Sequence, residues 1–461
     1  MSFRNFAARR THLAERMRTA GGGVALLPTA PERTRTADSD HPYRHDSHFH
    51  HLTGFDEPQA WLVLRSDGHS TLFCRPADPE HAVWHGHRLG TEAAPEVLGV
   101  DQALPVGTLN DAMPALLAGQ GTVWFPFGRG PELTGQIESW LATLRAQERQ
   151  GVECPTQCRD LHPLLAEMRL FKDAGELATM RRAASISAGA HRRAMRYCAQ
   201  RFRQGASAVH EYEIEAELLH EFRRHGAQGP AYPSIVAAGA NACVLHHPAG
   251  STRLLPDDLC LVDAGCELDG YASDITRTFP ASGCFSGPQR ALYELVLAAQ
   301  QAGIDATRPG QRQRDAHHAA VRVLAQGLLE LGLLSRDVHG EVDDVIASAA
   351  YRAFYMHGTG HWLGRDVHDV GDYLSLGEAP IEQPDGLGGT VVKRPSRVLR
   401  PAMVVTLEPG LYVRPAPGVP ECYWNIGIRV EDDAIVTEHG CELISRGVPV
   451  DPDEIEAWMR G

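Results

Sequence analysis

The stretch that most constrains the fold is a predicted β-hairpin with two acidic residues, LVDAGCELDGYASDITRTF at residues 261–279. An apolar run leads to Asp263, an Asp-Gly pair supplies turn chemistry, and β-branched and aromatic residues follow. A two-residue loop at Asp269-Gly270 pairs Asp263 with Thr276 and places Asp274 two residues along on the same face; a loop one residue earlier pairs the two aspartates directly. Like charges this close require a cation, a shared proton or full solvation.

Length and charge set broad limits on the function. A chain of 461 residues is expected to form two or three domains. Lys and Arg total 44 against 58 Asp and Glu, a net charge of −14, so we expect no nucleic-acid partner and no binding to anionic lipid. No apolar run approaches the roughly 20 residues that span a bilayer, so we expect no membrane segment.

The N-terminal region and the cysteines favour a cytoplasmic location. The first 20 residues are basic but contain no apolar core of a secretory signal. A transit peptide is the alternative, and Glu15 and the lack of serine enrichment argue against it. The 10 cysteines form no dense framework, which predicts reduced thiols.

Three segments mark the organisation of the chain. Residues 1–172 mix strand-like and helical runs, which predicts an α/β domain, and a long amphipathic helical pattern follows the break at Asp173-Ala174-Gly175. We interpret the histidines of HPYRHDSHFHH, residues 41–51, as surface or core residues, because their spacing fits no standard ligand pattern. Residues 374–398, rich in Gly and Pro, are predicted to form a long loop or insertion.

Metal-ligand residue types cluster in three segments after the hairpin, FYMHGTGHWLGRDVHDVG, VVTLEPGLYV and NIGIRVEDDAIV. His357 and His361 have the i, i+4 spacing of a helical zinc motif, but Gly358 and Gly360 make a helix improbable and no Glu follows the first His. This excludes the HExxH protease motif. The candidate ligands in these segments are His357, His361, His368, Glu408 and Glu431.

Four carboxylates and a histidine suit two divalent cations. Glu408 follows a strand-like run, where functional side chains commonly emerge. Arg429 and Glu431 alternate along one strand, so the Arg can orient or partly neutralise a neighbouring carboxylate. Carboxylate-rich sites hold hard to borderline cations, and two cations about 3.5 to 4 Å apart are the arrangement of several hydrolases.

These motifs, together with YPSIVAAGANACVLHH and RTADSDHPYRHDSHFHHLTGFDEP, resemble the proline-specific aminopeptidases of the pita-bread metallopeptidase family over nearly the whole chain. The resemblance implies an α/β (α+β) fold. Residues 173–461 would form a C-terminal pita-bread catalytic domain with internal pseudo-twofold symmetry, and residues 1–172 a creatinase-type N-terminal α/β domain.

The resemblance also implies the chemistry. The two ions would most commonly be Mn²⁺, with Co²⁺, Zn²⁺ or Fe²⁺ as alternatives. A water bridging them would attack the carbonyl that precedes proline, with Glu408 shuttling the proton. The peptide partner would carry proline in the second position and would lose its N-terminal residue. The five ligands that the resemblance implies are Asp263, Asp274, His361, Glu408 and Glu431.

Further roles follow from the same resemblance. His246 and His368 would contact the substrate and the tetrahedral intermediate, with His357 as a further active-site histidine. Residues behind the ligands would be Arg429 and Tyr412. Residues of the N-terminal domain that help close the substrate site in tetrameric relatives would be Asp38 and Trp84, so we expect a homo-oligomer, a tetramer or a dimer.

Other readings stay open at this point. An Xaa-Pro dipeptidase (prolidase) with the same metals differs only in substrate length, so cleavage of Gly-Pro-Ala separates the two. A methionine aminopeptidase usually lacks so large an N-terminal domain, and a creatine-type amidinohydrolase does not keep this ligand set. A catalytically inactive peptide-binding protein typically loses ligands, whereas all five positions are filled here. Glu408 lies 40 positions after His368, more than the resemblance implies, which leaves the shape of the substrate entrance open.

Overall fold

The structure is a computed structural model that describes residues 4–384 and 390–460. The chain divides into two units, Met1–Arg169 and Leu170–Gly461. Within the described ranges, no helix combines the length and the apolar character needed to cross a membrane.

The first unit is built on a six-stranded mixed sheet with the strand order β6-β5-β4-β1-β7-β8. Strand β4 is antiparallel to both β1 and β5. The other neighbouring pairs, β5–β6, β1–β7 and β7–β8, are parallel. The elements in chain order are α1 (Arg4–Thr19), β1 (Val24–Pro28), β2 (Thr34–Thr36), β3 (Ser39–Asp40), α2 (Ser47–Thr53), β4 (Trp61–Arg65), β5 (Ser70–Cys74), α3 (Pro79–His85), α4 (Gly90–Leu98), β6 (Gln102–Pro105), α5 (Leu109–Leu117), β7 (Thr122–Phe125), α6 (Pro131–Arg145), β8 (Gln157–Asp160) and α7 (His162–Leu170).

This sheet is covered on both faces. Because side chains alternate along a strand, Ala25 and Leu27 of β1 enter a core shared with α1, α2, α4 and α7, whereas Val24 and Leu26 enter a core shared with α5 and α6. A sheet with two buried faces requires nearly continuous apolar strands, as the sequence of β1 shows. The predicted α/β character of this region is confirmed.

The second unit contains long helices and short antiparallel strands. Its elements in chain order are α8 (Ala174–Arg203), β9 (Val209–His210), α9 (Glu211–Arg224), β10 (Gly229–Pro230), β11 (Ile235–Ala238), β12 (Arg253–Leu254), β13 (Leu259–Asp263), β14 (Cys266–Leu268), β15 (Tyr271–Ala272), β16 (Thr276–Pro280), α10 (Gly287–Ala306), α11 (Gln313–Glu330), α12 (Arg336–His339), α13 (Val342–Ala347), β17 (Ile381–Pro384), β18 (Thr390–Lys393), β19 (Val404–Leu407), β20 (Gly410–Val413), β21 (Ile426–Arg429), β22 (Asp432–Val436), β23 (Cys441–Leu443) and α14 (Pro452–Arg460).

The order of elements repeats within this unit. The helix pair α8 and α9 is followed by the three-stranded sheet β11-β13-β16, and the pair α10 and α11 is followed by β19-β22-β23 and β20-β21. Helix α8 begins where the sequence predicts, because Asp173 and Glu176 form a capping box at its first turn. The strands that follow each helix pair carry candidate ligands, since β13 ends at Asp263 and Glu408 follows β19.

The acidic hairpin adopts the first of the two predicted registers. Leu268 pairs with Tyr271 across an Asp269-Gly270 turn, and Asp263 pairs with Thr276. Asp269 has φ 51° and Gly270 has φ 73°, the left-handed pair that a two-residue hairpin turn requires. The two aspartates are therefore offset along the strands and do not face each other directly.

The segment 374–398 is not the structureless loop that its Gly and Pro content predicts. Strands β17 and β18 pair within it, and at its base Leu374 bridges Ser396. Its loop prediction is wrong because three consecutive β-branched residues in β18, Thr390 to Val392, outweigh the turn-forming residues around them. The part of the prediction that falls on residues 385–389 lies outside the described residues.

Candidate metal centre

The candidate ligands emerge where strands end. Asp263 is the last residue of β13, Asp274 lies just before β16, Glu408 follows β19, and Glu431 separates β21 from β22. His361 lies beside β19, where its neighbour Trp362 forms an isolated bridge with Val405. All five candidates line one cavity of about 830 Å³ in the second unit. The fold thus brings together residues that are up to 168 positions apart, between Asp263 and Glu431.

Three of the five candidates are close enough to share one ion. One ligand atom from each of Asp274, His361 and Glu431 lies within 4.8 Å of the others. His361 Nε2 is 3.4 Å from an oxygen of Asp274 and 3.7 Å from an oxygen of Glu408. Asp263 joins the group through shared hydrogen-bond partners, described next.

Two side chains hold the hairpin carboxylates in place. The hydroxyl of Tyr232 lies within hydrogen-bond distance of both Asp263 and Asp274, at 2.6 Å from the former. Arg429 donates to the second oxygen of Asp263 at 2.6 Å. In addition, Thr276 Oγ1 donates to Glu431 at 2.7 Å. Because these partners leave other carboxylate lone pairs free, the carboxylates can also bind cations.

Burial and mutual repulsion shift the pKa values of these groups. Burial raises the pKa of Glu408 to about 7, raises that of Glu431 well above its usual range, and raises that of Asp274. Burial opposes the charged form of His361, but the neighbouring Asp274 and Glu408 outweigh it and raise its pKa to about 9. Several carboxylates thus compete for few positive charges, a conflict that divalent cations would relieve.

The donor set fits divalent cations. His361 Nδ1 lies 3.0 Å from the carbonyl oxygen of Trp362, so an Nδ1–H donated there leaves Nε2 free as a ligand. Carboxylate oxygens with one imidazole are the ligands of hard to borderline metals. The segment of His361 is held against β19, since Gly360 approaches the carbonyl of Thr406 so closely that a Cβ would lie 1.9 Å from that oxygen.

The three other candidate histidines line the same cavity. His368 packs edge-on against His361 with ring centroids 4.2 Å apart, and burial lowers the pKa of His368. His357 lies 2.8 Å from the hydroxyl of Tyr412, and burial lowers its pKa to about 4. His246 also lines the cavity. His357 and His361 lie outside any helix, as the glycines between them predict.

Arg429 and Tyr412 lie behind the carboxylates. Arg429 is buried and donates to Tyr412 at 2.9 Å and to Thr276 at 3.1 Å, besides Asp263. The chain of contacts from His357 through Tyr412 and Arg429 to Asp263 is therefore continuous. These contacts fix the orientation of the Asp263 carboxylate, which the position of Asp263 in its strand does not determine.

Asp38 and Trp84 belong to the first unit. Asp38 is exposed in the turn between β2 and β3, and Trp84 of α3 has 83% of its surface exposed. Their role in closing the substrate site stays a prediction.

Sequence reasoning missed several residues of the cavity. Tyr232, Thr276 and Tyr373 contact the candidate ligands or line the cavity, but none has a spacing that singles it out. Tyr232 lies in YPSIVAAGANACVLHH, which the resemblance includes. Its contact with both hairpin aspartates depends on the packing of β11 against β13, which no local pattern shows.

Comparisons with known proteins identify the family of the chain. Residues 178–438 match Metallopeptidase family M24, and residues 6–124 match the Aminopeptidase P, N-terminal domain family. The chain is 44% identical over 463 aligned residues to the Xaa-Pro aminopeptidase of Escherichia coli K12, covering 100% of this chain and 98% of the relative. The Haemophilus influenzae Xaa-Pro aminopeptidase is 39% identical, with 98% and 96% covered.

Solved structures match over the full length. The structure of Pseudomonas aeruginosa aminopeptidase PepP superimposes with a TM-score of 0.91 at 44% identity, covering 100% of this chain and 98% of that one. Escherichia coli aminopeptidase P with the inhibitor Pro-Leu has a TM-score of 0.89 at 43% identity, with the same coverage. The chain therefore belongs to metallopeptidase family M24, with an N-terminal domain of the aminopeptidase P type.

Proposed function

We propose that the chain is an Xaa-Pro aminopeptidase, which releases the N-terminal residue of peptides with proline in the second position. One observation carries the proposal: the five candidate ligands and three histidines line one cavity in a chain 44% identical over its full length to an Xaa-Pro aminopeptidase. Membership of family M24 makes the chain a metallopeptidase that uses divalent metal ions.

The carboxylates and His361 would hold these ions, which supply Lewis-acid polarisation and an acidified water when they are bound. Glu408, whose pKa is raised to about 7 by burial, can accept a proton from the attacking water and return it to the proline nitrogen that leaves. His246 and His368 line the cavity where N–H groups could stabilise the developing oxyanion. These roles are proposals supported by position and by pKa.

Selectivity for proline must come from shape. The proline nitrogen carries no hydrogen, so the site cannot recognise a donor there. Apolar residues in the cavity wall offer a surface for the pyrrolidine ring, namely Pro233, Ile235, Leu245 and Val367.

Family membership does not specify the metal, the oligomeric state, the location or the domain bounds, so we propose each of these separately. We infer Mn²⁺ as the metal, because oxygen-rich ligand sets suit it. We infer a homo-oligomer, a tetramer or a dimer, which sedimentation showing only a 50.3 kDa species would contradict. A cytoplasmic location fits ten free cysteines. We propose 1–172 and 173–461 as domain bounds, since Asp173 caps α8.

The test is turnover of Gly-Pro-Ala by metal-stripped protein with and without added Mn²⁺. We expect release of glycine only with metal, and no turnover by Asp274→Ala at any metal concentration. Circular dichroism of the variant should show an unchanged fold. Hydrolysis of Gly-Pro but not of Gly-Pro-Ala would contradict the aminopeptidase assignment. A folded Asp274→Ala variant with wild-type turnover would contradict the site.

A further inference from the structure

A second cavity of about 680 Å³ borders the candidate metal centre. It shares three lining residues with the first cavity, Gly358, Gly360 and Tyr373. Gly358 and Tyr373 are exposed, so the two cavities meet at a rim that a bound chain can cross. We call this second cavity the basic cleft and define it by Arg314, His317, His318, Arg352 and Lys393.

The charges of the basic cleft are all of one sign. Its lining contains two arginines, one lysine and two histidines but no carboxylate within the described part of the chain. In residues 4–384 and 390–460, neither Arg314, Arg352 nor Lys393 forms an ion pair. Elsewhere in this unit, by contrast, the half-buried Arg312 pairs with Glu378 at 2.7 Å. The cleft thus offers unpaired positive charge to an anion.

His317 lies in the wall of the cleft next to these basic residues. Its Nδ1 lies 2.9 Å from Thr359 Oγ1. Its pKa is lowered to about 4, mainly by burial and in addition by the neighbouring His318, Arg314 and Arg352. The floor beside these groups is apolar, formed by Leu399, Val405 and Leu407. An occupant of the cleft therefore combines negative charge with some apolar surface, as a peptide does.

The wall of the cleft is continuous with the segment that carries Glu408. Thr359, in its wall, accepts a hydrogen bond from the backbone N–H of Glu408 at 2.8 Å, and Leu407 precedes that glutamate. An extended peptide advances about 3.3 Å per residue. Three or four residues after the proline span roughly 10 to 13 Å, the length over which we expect a side chain to cross the rim at Tyr373.

We propose that the basic cleft binds the carboxylates of peptide residues downstream of the proline, so that the enzyme prefers longer substrates with acidic residues or a free C-terminus there. This inference rests on the proposed function and names its substrate class more closely. A free anion would offer the same chemistry, and the experiment below separates the two sources.

The experiment measures kcat/KM of the Mn²⁺-loaded full-length protein for two C-terminally amidated peptides, Ala-Pro-Gly-Glu-Glu and Ala-Pro-Gly-Lys-Lys. We expect the acidic peptide to be preferred roughly tenfold at low salt, and the preference to shrink as salt is raised. The double variant Arg314→Ala/Arg352→Ala should bring the ratio close to one. The control variant Arg182→Ala, an exposed arginine of α8 outside the cleft, should keep the wild-type ratio.

A binding measurement gives a second readout. Calorimetry should show that the product-like peptide Pro-Gly-Glu-Glu binds the wild type more tightly than Pro-Gly-Lys-Lys, and that the double variant loses this difference.

A wild-type kcat/KM ratio of the acidic to the basic peptide near one, or a ratio that survives in the double variant, would overturn the inference. Inorganic phosphate that binds the wild type but not the double variant in calorimetry, with no difference between the two peptides, would assign the cleft to a free anion instead. Absence of cleavage of Ala-Pro-Ala amide itself would count against the proposed function and not against the cleft alone.

Discussion

Tyr232 shows how much a single hydroxyl contributes to the organisation of the candidate metal centre. It lies between two buried carboxylates that repel each other, within hydrogen-bond distance of both. Burial among these acids raises the pKa of Tyr232 well above its usual value, so the phenol keeps its proton and remains a donor. It therefore orients Asp263 and Asp274 before any cation binds.

We expect Tyr232→Phe to weaken Mn²⁺ binding by roughly 10- to 100-fold, because groups that orient ligands contribute at this level. Calorimetric titration of the metal-free protein measures the affinity. Tyr293→Phe is the control, since Tyr293 is a buried tyrosine whose hydroxyl donates to the carbonyl of Val450 and not to a candidate ligand. Equal metal affinities for both variants would show that Tyr232 does not orient the carboxylates.

At the scale of elements, His191 makes one of several buried contacts between helix α8 and the acidic hairpin. His191 Nε2 lies 3.0 Å from the carbonyl oxygen of Ala264, the residue after Asp263. Burial lowers the pKa of His191 from 6.5 to about 4, so the folded protein holds this histidine neutral. The contribution of the neutral form to stability is fully present above pH 6.5 and is lost as the pH falls toward 4.

We expect the free energy of unfolding of the wild type to fall by about 3 kcal/mol more than that of His191→Gln between pH 6.5 and 4. Glutamine keeps a hydrogen-bond donor but does not titrate. Urea denaturation at several pH values measures the difference. Parallel pH profiles for the two proteins would contradict the assignment of a neutral, buried His191.

The effect of removing the β17–β18 ribbon can be predicted from the contacts at its base. Leu374 and Ser396 are bridged, and Ser375 donates its backbone N–H to the carbonyl of Pro395 at 2.9 Å, so the two ends of the ribbon are adjacent. Replacing residues 377–393 with a short Gly-Ser turn should leave the metal centre intact. We expect Mn²⁺ affinity within a factor of about two of the wild type, because loops with adjacent ends close at little entropic cost. A large loss of metal affinity would show that the ribbon supports the centre.

The sequence predicts elements well where the signal is local and poorly where it is not. The Asp-Gly turn, the capped start of α8 and the non-helical His357 and His361 are all readable from neighbouring residues, and the structure confirms them. The pairing within the 374–398 segment is local but is obscured by the turn-forming residues around it. The position of Tyr232 depends on the packing of β11 against β13, two strands that are distant in the sequence. Such contacts carry no local spacing, so the sequence alone does not reveal them.

At the scale of the molecule, each unit has its own hydrophobic core. All five candidate ligands lie in Leu170–Gly461, so a cation that binds the folded site stabilises that unit by mass action. A chain of this size is not expected to unfold in one step.

Scanning calorimetry should therefore show two transitions, and only one of them should respond to metal. At about 100 times the dissociation constant, Mn²⁺ should add roughly 2.7 kcal/mol to the unit with the ligands and raise its midpoint by about 5 °C. Asp274→Ala is the control, whose thermogram should not respond to Mn²⁺. A metal-dependent shift that persists in this variant would place the main binding site elsewhere.

The bridged base of the ribbon also bears on how this chain can change over generations and in the laboratory. Since the backbone leaves and returns at adjacent positions, Leu374 and Ser396, residues can be gained or lost between them without altering the path of the chain on either side. Insertions and deletions here are expected to cost less stability than insertions and deletions in the hairpin that carries Asp263. The same position is a suitable place to graft a fluorescent reporter or an affinity tag, at a point next to the basic cleft and outside the strands that carry the candidate ligands.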